Sequence, residues 1–253
     1  MASEPVIYAP WNTGLGDQWA CINLLLQKGV GLDSILLHSP PLLRNMHEAI
    51  LSELPISRAN LYFVDDAPTH HLSGYDVWAT DYLPTRLQHQ RRDAHKFCAY
   101  HFDGLSSAAD KNPNPAEHTL LLRALAASGF TPVNVGLPFS IAQAVEILAH
   151  SAFFVGVDSG PAHIAHSTGV PMFLLEFGLP IITCHRGKSF IQCGSRHEGR
   201  YAVEEFLRHK LPTFIDYLRF IGHPDGERST VPHDRAARDA LDRTGNAWWV
   251  PNG

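Results

Sequence analysis

The chain has 253 residues, 45% of them apolar and 18% charged, which suits one large or two small globular domains and excludes a disordered chain. Its formal net charge of -5 argues against a nucleic-acid partner, because phosphate binding needs a basic footprint that the chain lacks overall. No apolar run of about eighteen residues occurs, and the opening MASEPVIYAP carries an acid where a signal peptide needs positive charge. A cytoplasmic protein without a transmembrane segment is expected, with peripheral membrane association left open. The cysteines Cys21, Cys98, Cys184 and Cys193 are scattered as free thiols would be. With His185 and His197, the last two match no zinc knuckle or finger spacing, so no metal is expected.

In chain order, Val6 to Ala9 predict a strand, and Thr13-Gly14-Leu15-Gly16-Asp17 a glycine-rich turn into a helix ending near Lys28. Gly14 and Gly16 supply only part of a dinucleotide fingerprint, so this loop alone is a weak nucleotide signal. Ser34 to His38 predict a strand, Pro41 to Leu54 a helix and Asn60 to Val64 another strand, the alternation of an open parallel sheet. Residues 67–96 turn polar around an expected short strand at Val77 to Ala79 and read as the end of a first lobe and a linker. A second alternating series follows, with strands at Phe97 to Tyr100 and Thr131 to Val135 and a helix at Glu117 to Ser128. Ser140 and Gln143 then form a capping box for a helix with Ile141, Val145, Leu148 and Ala149 on one face.

The chain is organised around Phe153 to Gly178, FFVGVDSGPAHIAHSTGVPMFLLEFG, which reads as strand, tight turn, short helix and buried strand. Asp158 and Ser159 suit an N-cap, Pro161 the first helical position and Gly169 a left-handed C-cap. A helix opening from a strand's carboxyl end aims free N–H groups into the crevice where open α/β sheets bind ligands. Gly160 would admit a ligand to the backbone, and His163 would add a side-chain donor. Read alone, the turn serves equally as a plain helix cap, and His163 as a satisfied structural histidine. Arg186 and Lys188 follow closely enough to be secondary phosphate contacts or surface charges. Tyr201 to Ile221 and Asp234 to Arg243 predict helices, and Trp248-Trp249 would dock the tail on the body.

With both halves laid out, the chain resembles the heptosyltransferase family of glycosyltransferases, whose fold is the two-lobed GT-B type. GLGDQWACINLLL is similar to the family's opening, Ser140 to Ala149 to its helix before the last strands, and VDSGPAHIAHSTGVP to its D-[ST]-G-x-x-H-x-A-x-x-x-G-x-P signature. The resemblance covers most of Val6 to Gly178, while the loop FDGLSSAADKNPNP offers only Lys111 where the family usually carries a phosphate-holding lysine.

The resemblance implies an α/β fold of two Rossmann-like lobes facing across a cleft. The expected units are an acceptor-side lobe at 1–95, a nucleotide-sugar lobe at 96–198 and C-terminal helices and tail at 199–253. It further implies sugar transfer from a nucleoside-diphosphate sugar to a hydroxyl-bearing acceptor, with no cofactor beyond the donor. The transfer is expected to be inverting and, with no D-x-D strand-end motif in a plausible site, metal-independent. Asp17 takes the general base's place, and Asp158, Ser159, Gly160 and His163 that of the donor diphosphate seat. The alternatives are a GT-B sugar-nucleotide epimerase or hydrolase and a non-catalytic nucleotide-sugar binding protein. A nucleic-acid base-modifying transferase is disfavoured by the net charge.

Overall fold

The structure, a computed structural model, describes residues 6–10, 12–28, 34–55, 60–73, 77, 82–89, 97–104, 112–176 and 191–195. Lys111, Arg186, Lys188 and the expected helices of 199–253 lie outside them.

Two parallel sheets are present. The first holds β1 (Ile7–Ala9), β2 (Ile35–His38), β3 (Leu61–Val64) and β4 (His70–His71) in the order β3-β2-β1-β4. The second holds β5 (Phe97–His101), β6 (Thr131–Asn134), β7 (Phe154–Gly156), β8 (Met172–Glu176) and β9 (Ile191–Ser195) in the order β6-β5-β7-β8-β9. The helices are α1 (Leu15–Lys28), α2 (Pro41–Glu53), α3 (Pro115–Ala127), α4 (Ile141–His150) and α5 (Gly160–Thr168).

Strand alternation decides the layering. Phe154, Met172 and Leu174 point into one apolar cluster, and Phe153, Val155, Phe173 and Leu175 into another. The second cluster lies under α3, where Leu121 and Leu125 join it. The first is continuous with Trp19, Ile22 and Leu25 of α1, Ile50 and Leu51 of α2, and Ile35 and Leu37 of β2. Helices α1, α2, α4 and α5, each packed on its neighbours, thus form one layer between the two sheets. Trp19 Nε1–H donates to Ser167 Oγ at 2.7 Å in this layer, giving the buried indole the partner it requires.

The caps follow the local chemistry. Ser140 and Gln143 form the expected capping box, and Gly169 ends α5 at φ 69°. Helix α3 begins two residues earlier than predicted, because Asn114 and Glu117 make a capping box of their own and Pro115 occupies the first turn. The strand on the far side of β1 is the polar pair His70–His71, joined to it by pairing with Tyr8 and Ala9. Of the strand expected at Val77 to Ala79, Val77 is buried and outside any strand, and Trp78 and Ala79 lie outside the described residues. The edge strand β9, paired with β8, was not anticipated. Cys21 and Cys98 are buried free thiols, and burial pushes both up to about 12.

Segment 82–89 crosses between the sheets and is laced to the helices. Thr85 N–H and His89 N–H donate to the Ser167 and Thr168 carbonyls at 3.0 and 2.8 Å, satisfying acceptors that the end of α5 would leave open. Leu83 N–H donates to Asn23 Oδ1 of α1 at 2.7 Å, and Arg86 pairs with the buried Glu53 of α2 at 2.6 Å.

Candidate active site

Each sheet reverses its strand order once, at β1/β4 in the first and at β5/β7 in the second. Crossovers leave on opposite faces at such a point, opening a crevice outside the carboxyl ends of the strands. Helix α1 starts at one reversal point and α5 at the other, and the two starts touch. A Cβ on Gly16 would lie 2.5 Å from His163 Cδ2, and one on Gly160 would lie 2.8 Å from Leu15 Cδ2. Both positions therefore demand glycine for the junction itself. The expectation that Gly160 is there to admit a ligand needs correcting to this extent: a side chain of α1 fills the space over its Cα.

The predicted residues gather at this junction. Asp17 sits half-buried in the first turn of α1, with Oδ2 placed 3.2 Å from where a Gly14 Cβ would stand, so its carboxylate folds back over the glycine-rich turn. Asp158 and Ser159 close β7 into α5. His163, buried one turn into α5, has Nε2 at 3.5 Å from Asp158 Oδ1 and Nδ1 at 2.5 Å from the Tyr82 hydroxyl. Both ring nitrogens are thus engaged. Arg186 and Lys188 lie outside the described residues.

Residues 105–175 match glycosyltransferase family 9 (heptosyltransferase), a span that includes the whole Asp158 to His163 turn. The chain is heptosyltransferase-like. No curated protein sequence matches it. Among solved structures it is similar to the iron-containing dodecameric glycosyltransferase TibC from enterotoxigenic E. coli H10407, at 16% identity and TM-score 0.50 over 68% of this chain and 58% of that one. The chain thus spans a little over half of that TibC chain. A second TibC structure, the heptosyltransferase in complex with ADP-D-β-D-heptose, is 15% identical with TM-score 0.52 over 95% of this chain and 77% of TibC. E. coli ADP-heptose LPS heptosyltransferase II is 10% identical with TM-score 0.60 over 85% of this chain and 99% of its own. At these identities the likeness establishes the fold, which is GT-B-like.

The junction of α1 and α5 has contributors that sequence reading missed. His101, buried at the end of β5, has Nδ1 at 2.9 Å from Ser159 Oγ, joining the two strands at the reversal point of the second sheet. Behind the first-lobe turn, Arg44 Nε–H donates to Ser39 Oγ at 3.1 Å, and Ser39 Oγ lies 2.8 Å from His47 Nδ1. His47 Nε2 is 2.5 Å from Gln18 Oε1, and Gln18 Nε2–H donates to the Asn12 carbonyl. His47 is held down at about 4, first by burial and then by Arg44 and His38, so the ring is neutral. A neutral ring with its proton on Nε2 gives every member a partner: Ser39 O–H donates to Nδ1, and Nε2–H donates to Gln18. The only sequence signal for this brace was polar residues facing inward on otherwise apolar helices.

Among the described residues no group of three or more His, Cys, Asp or Glu could hold a metal ion, and no helix is long and apolar enough to cross a membrane.

Proposed function

We propose that the chain transfers a sugar from a nucleoside-diphosphate sugar to an acceptor hydroxyl at the junction of α1 and α5, with inversion and without a required metal ion. The carrying observation is the meeting of two helix starts, each at the reversal point of its own sheet, one bearing Asp17 and the other the Asp158 to His163 turn. The acceptor would enter over the first lobe, residues 1–95, and the donor over the second, residues 96–198, with 199–253 packing back on the body in the cytoplasmic enzyme.

Two groups do the chemistry. Asp17 removes the proton from the acceptor oxygen as that oxygen attacks the anomeric carbon from the face opposite the leaving group. The departing diphosphate gathers charge at the start of α5, where the Gly160 N–H, the positive end of the helix dipole and the His163 ring meet it without reorganising. ADP is the first nucleotide to test, because TibC was solved with ADP-D-β-D-heptose.

The base assignment predicts that Asp17→Asn lowers kcat by about 10²- to 10⁴-fold with little change in donor KM. Unchanged turnover would remove Asp17 from the mechanism. Nucleoside diphosphate released at full rate without an acceptor would turn the reaction toward hydrolysis. Turnover abolished by a chelator and restored by a divalent ion would overturn metal independence.

A further inference from the structure

We propose that Tyr82 is a positioning residue that fixes His163 as a neutral imidazole with its proton on Nε2, facing Asp158 and the start of α5. Its functional meaning rests on the reading of that turn as the donor diphosphate seat, but its test does not.

The bond between the Tyr82 hydroxyl and His163 Nδ1, 2.5 Å long, could run in either direction, because a ring nitrogen donates or accepts according to tautomer. The opposite edge of the ring decides. Nε2 lies 3.5 Å from Asp158 Oδ1, and a carboxylate only accepts. A bare Nε2 would set lone pair against lone pair. Placing the proton on Nε2 and letting the tyrosine O–H donate to Nδ1 satisfies both edges without charging the ring.

The ring has no room to turn over. Its Nε2 edge lies against Gly16 of α1, where a Cβ would come within 2.6 Å of Nε2. The Tyr82 ring stands edge-on to His163 at 5.7 Å and to His166 at 4.7 Å between centroids. Tyr82 is itself held by its neighbour, since Leu83 N–H is anchored on Asn23 of α1. The segment between the lobes thereby sets the proton position of a residue on the second lobe. That fixes the proton on the edge of the ring beside Asp158 and the start of α5.

The test uses the full chain, labelled with 15N, and imidazole 15N–1H correlation spectra near pH 7.5, with His163→Gln identifying the His163 signals by their loss. Tyr82→Phe removes the hydroxyl and keeps the ring contacts, so the fold is retained. Tyr62→Phe, at an exposed position on β3, is the control. Wild type should show His163 Nδ1 as a bare acceptor and Nε2 as protonated. Tyr82→Phe should shift both toward tautomer-averaged positions, and Tyr62→Phe should match wild type. A wild-type proton on Nδ1, protons on both nitrogens, or spectra unmoved by Tyr82→Phe would overturn the proposal. In parallel, Tyr82→Phe should weaken ADP binding about five- to tenfold, the worth of one hydrogen bond. If the spectra behave as expected while ADP, UDP, GDP, CMP and dTDP all leave wild-type melting unmoved, the donor-seat reading falls and the Tyr82 assignment stands.

Discussion

Ser140 and Ser159 occupy the same place, the N-cap of a helix in the second lobe, and do different things. Ser140 is exposed and caps α4 in full: its hydroxyl accepts from Gln143 N–H at 3.2 Å, while Gln143 Oε1 accepts from Ser140 N–H at 2.9 Å. Ser159 is buried and makes no side-chain cap bond, its hydroxyl being turned to His101. With its hydroxyl diverted, Ser159 closes the first turn of α5 through its carbonyl, which accepts from Ala162 N–H at 2.9 Å and His163 N–H at 3.3 Å. Pro161 has no N–H, so of that turn Gly160 N–H alone stands outside these bonds, at the reversal point of the sheet. The two serines separate a cap whose side chain stabilises its own helix from one whose side chain ties that helix to the neighbouring strand β5.

The first-lobe turn differs again, being braced from behind by the chain from Arg44 to Asn12 and pressed from the front by His163. The largest expected effect comes from breaking that front contact. Gly16→Val forces a side chain into the His163 ring between two packed helices, and urea unfolding should show a loss of about 3 kcal/mol. The brace gives the next effect, through pH. His47 has a folded pKa of about 4 against an ordinary value of 6.5, so the unfolded chain binds the extra proton between them. The stability His47 contributes is full above about pH 6.5 and is lost as pH falls toward 4, amounting to at most about 3 kcal/mol. His47→Gln should flatten that part of the stability–pH curve. The smallest effect sharpens the serine comparison. Ser140→Ala should cost about 1 kcal/mol and leave ADP binding unchanged. Ser159→Ala should cost about the same, through the lost bond to His101, and also weaken ADP. Equal ADP affinities in the two variants would dissolve the distinction.

Most of the fold was legible where local chemistry and pattern agree. The runs at Phe154 and Met172 are apolar because both faces of their sheet are covered, and the Ser140–Gln143 box announces its helix directly. His70–His71 was illegible because nothing but pairing with β1 makes that exposed polar pair a strand. At the site, Asp17 and the Asp158 to His163 turn were visible as turn chemistry. Tyr82 and His101 were not, because each meets its partner across 81 and 58 residues of chain and carries no local signature. Gly160 was noticed for the wrong neighbour: its glycine is demanded by Leu15, which only the packing of α1 on α5 reveals.

The most direct test of the donor seat is thermal unfolding of the full chain with and without ADP, UDP, GDP, CMP and dTDP, beside His163→Ala. A nucleotide at about a hundred times its dissociation constant adds about 2.7 kcal/mol, or about 5 to 10 °C for a chain of this size. The account predicts that one nucleotide raises the wild-type midpoint by that amount and the variant's by clearly less. Equal shifts in both proteins, or none with any nucleotide, would contradict it.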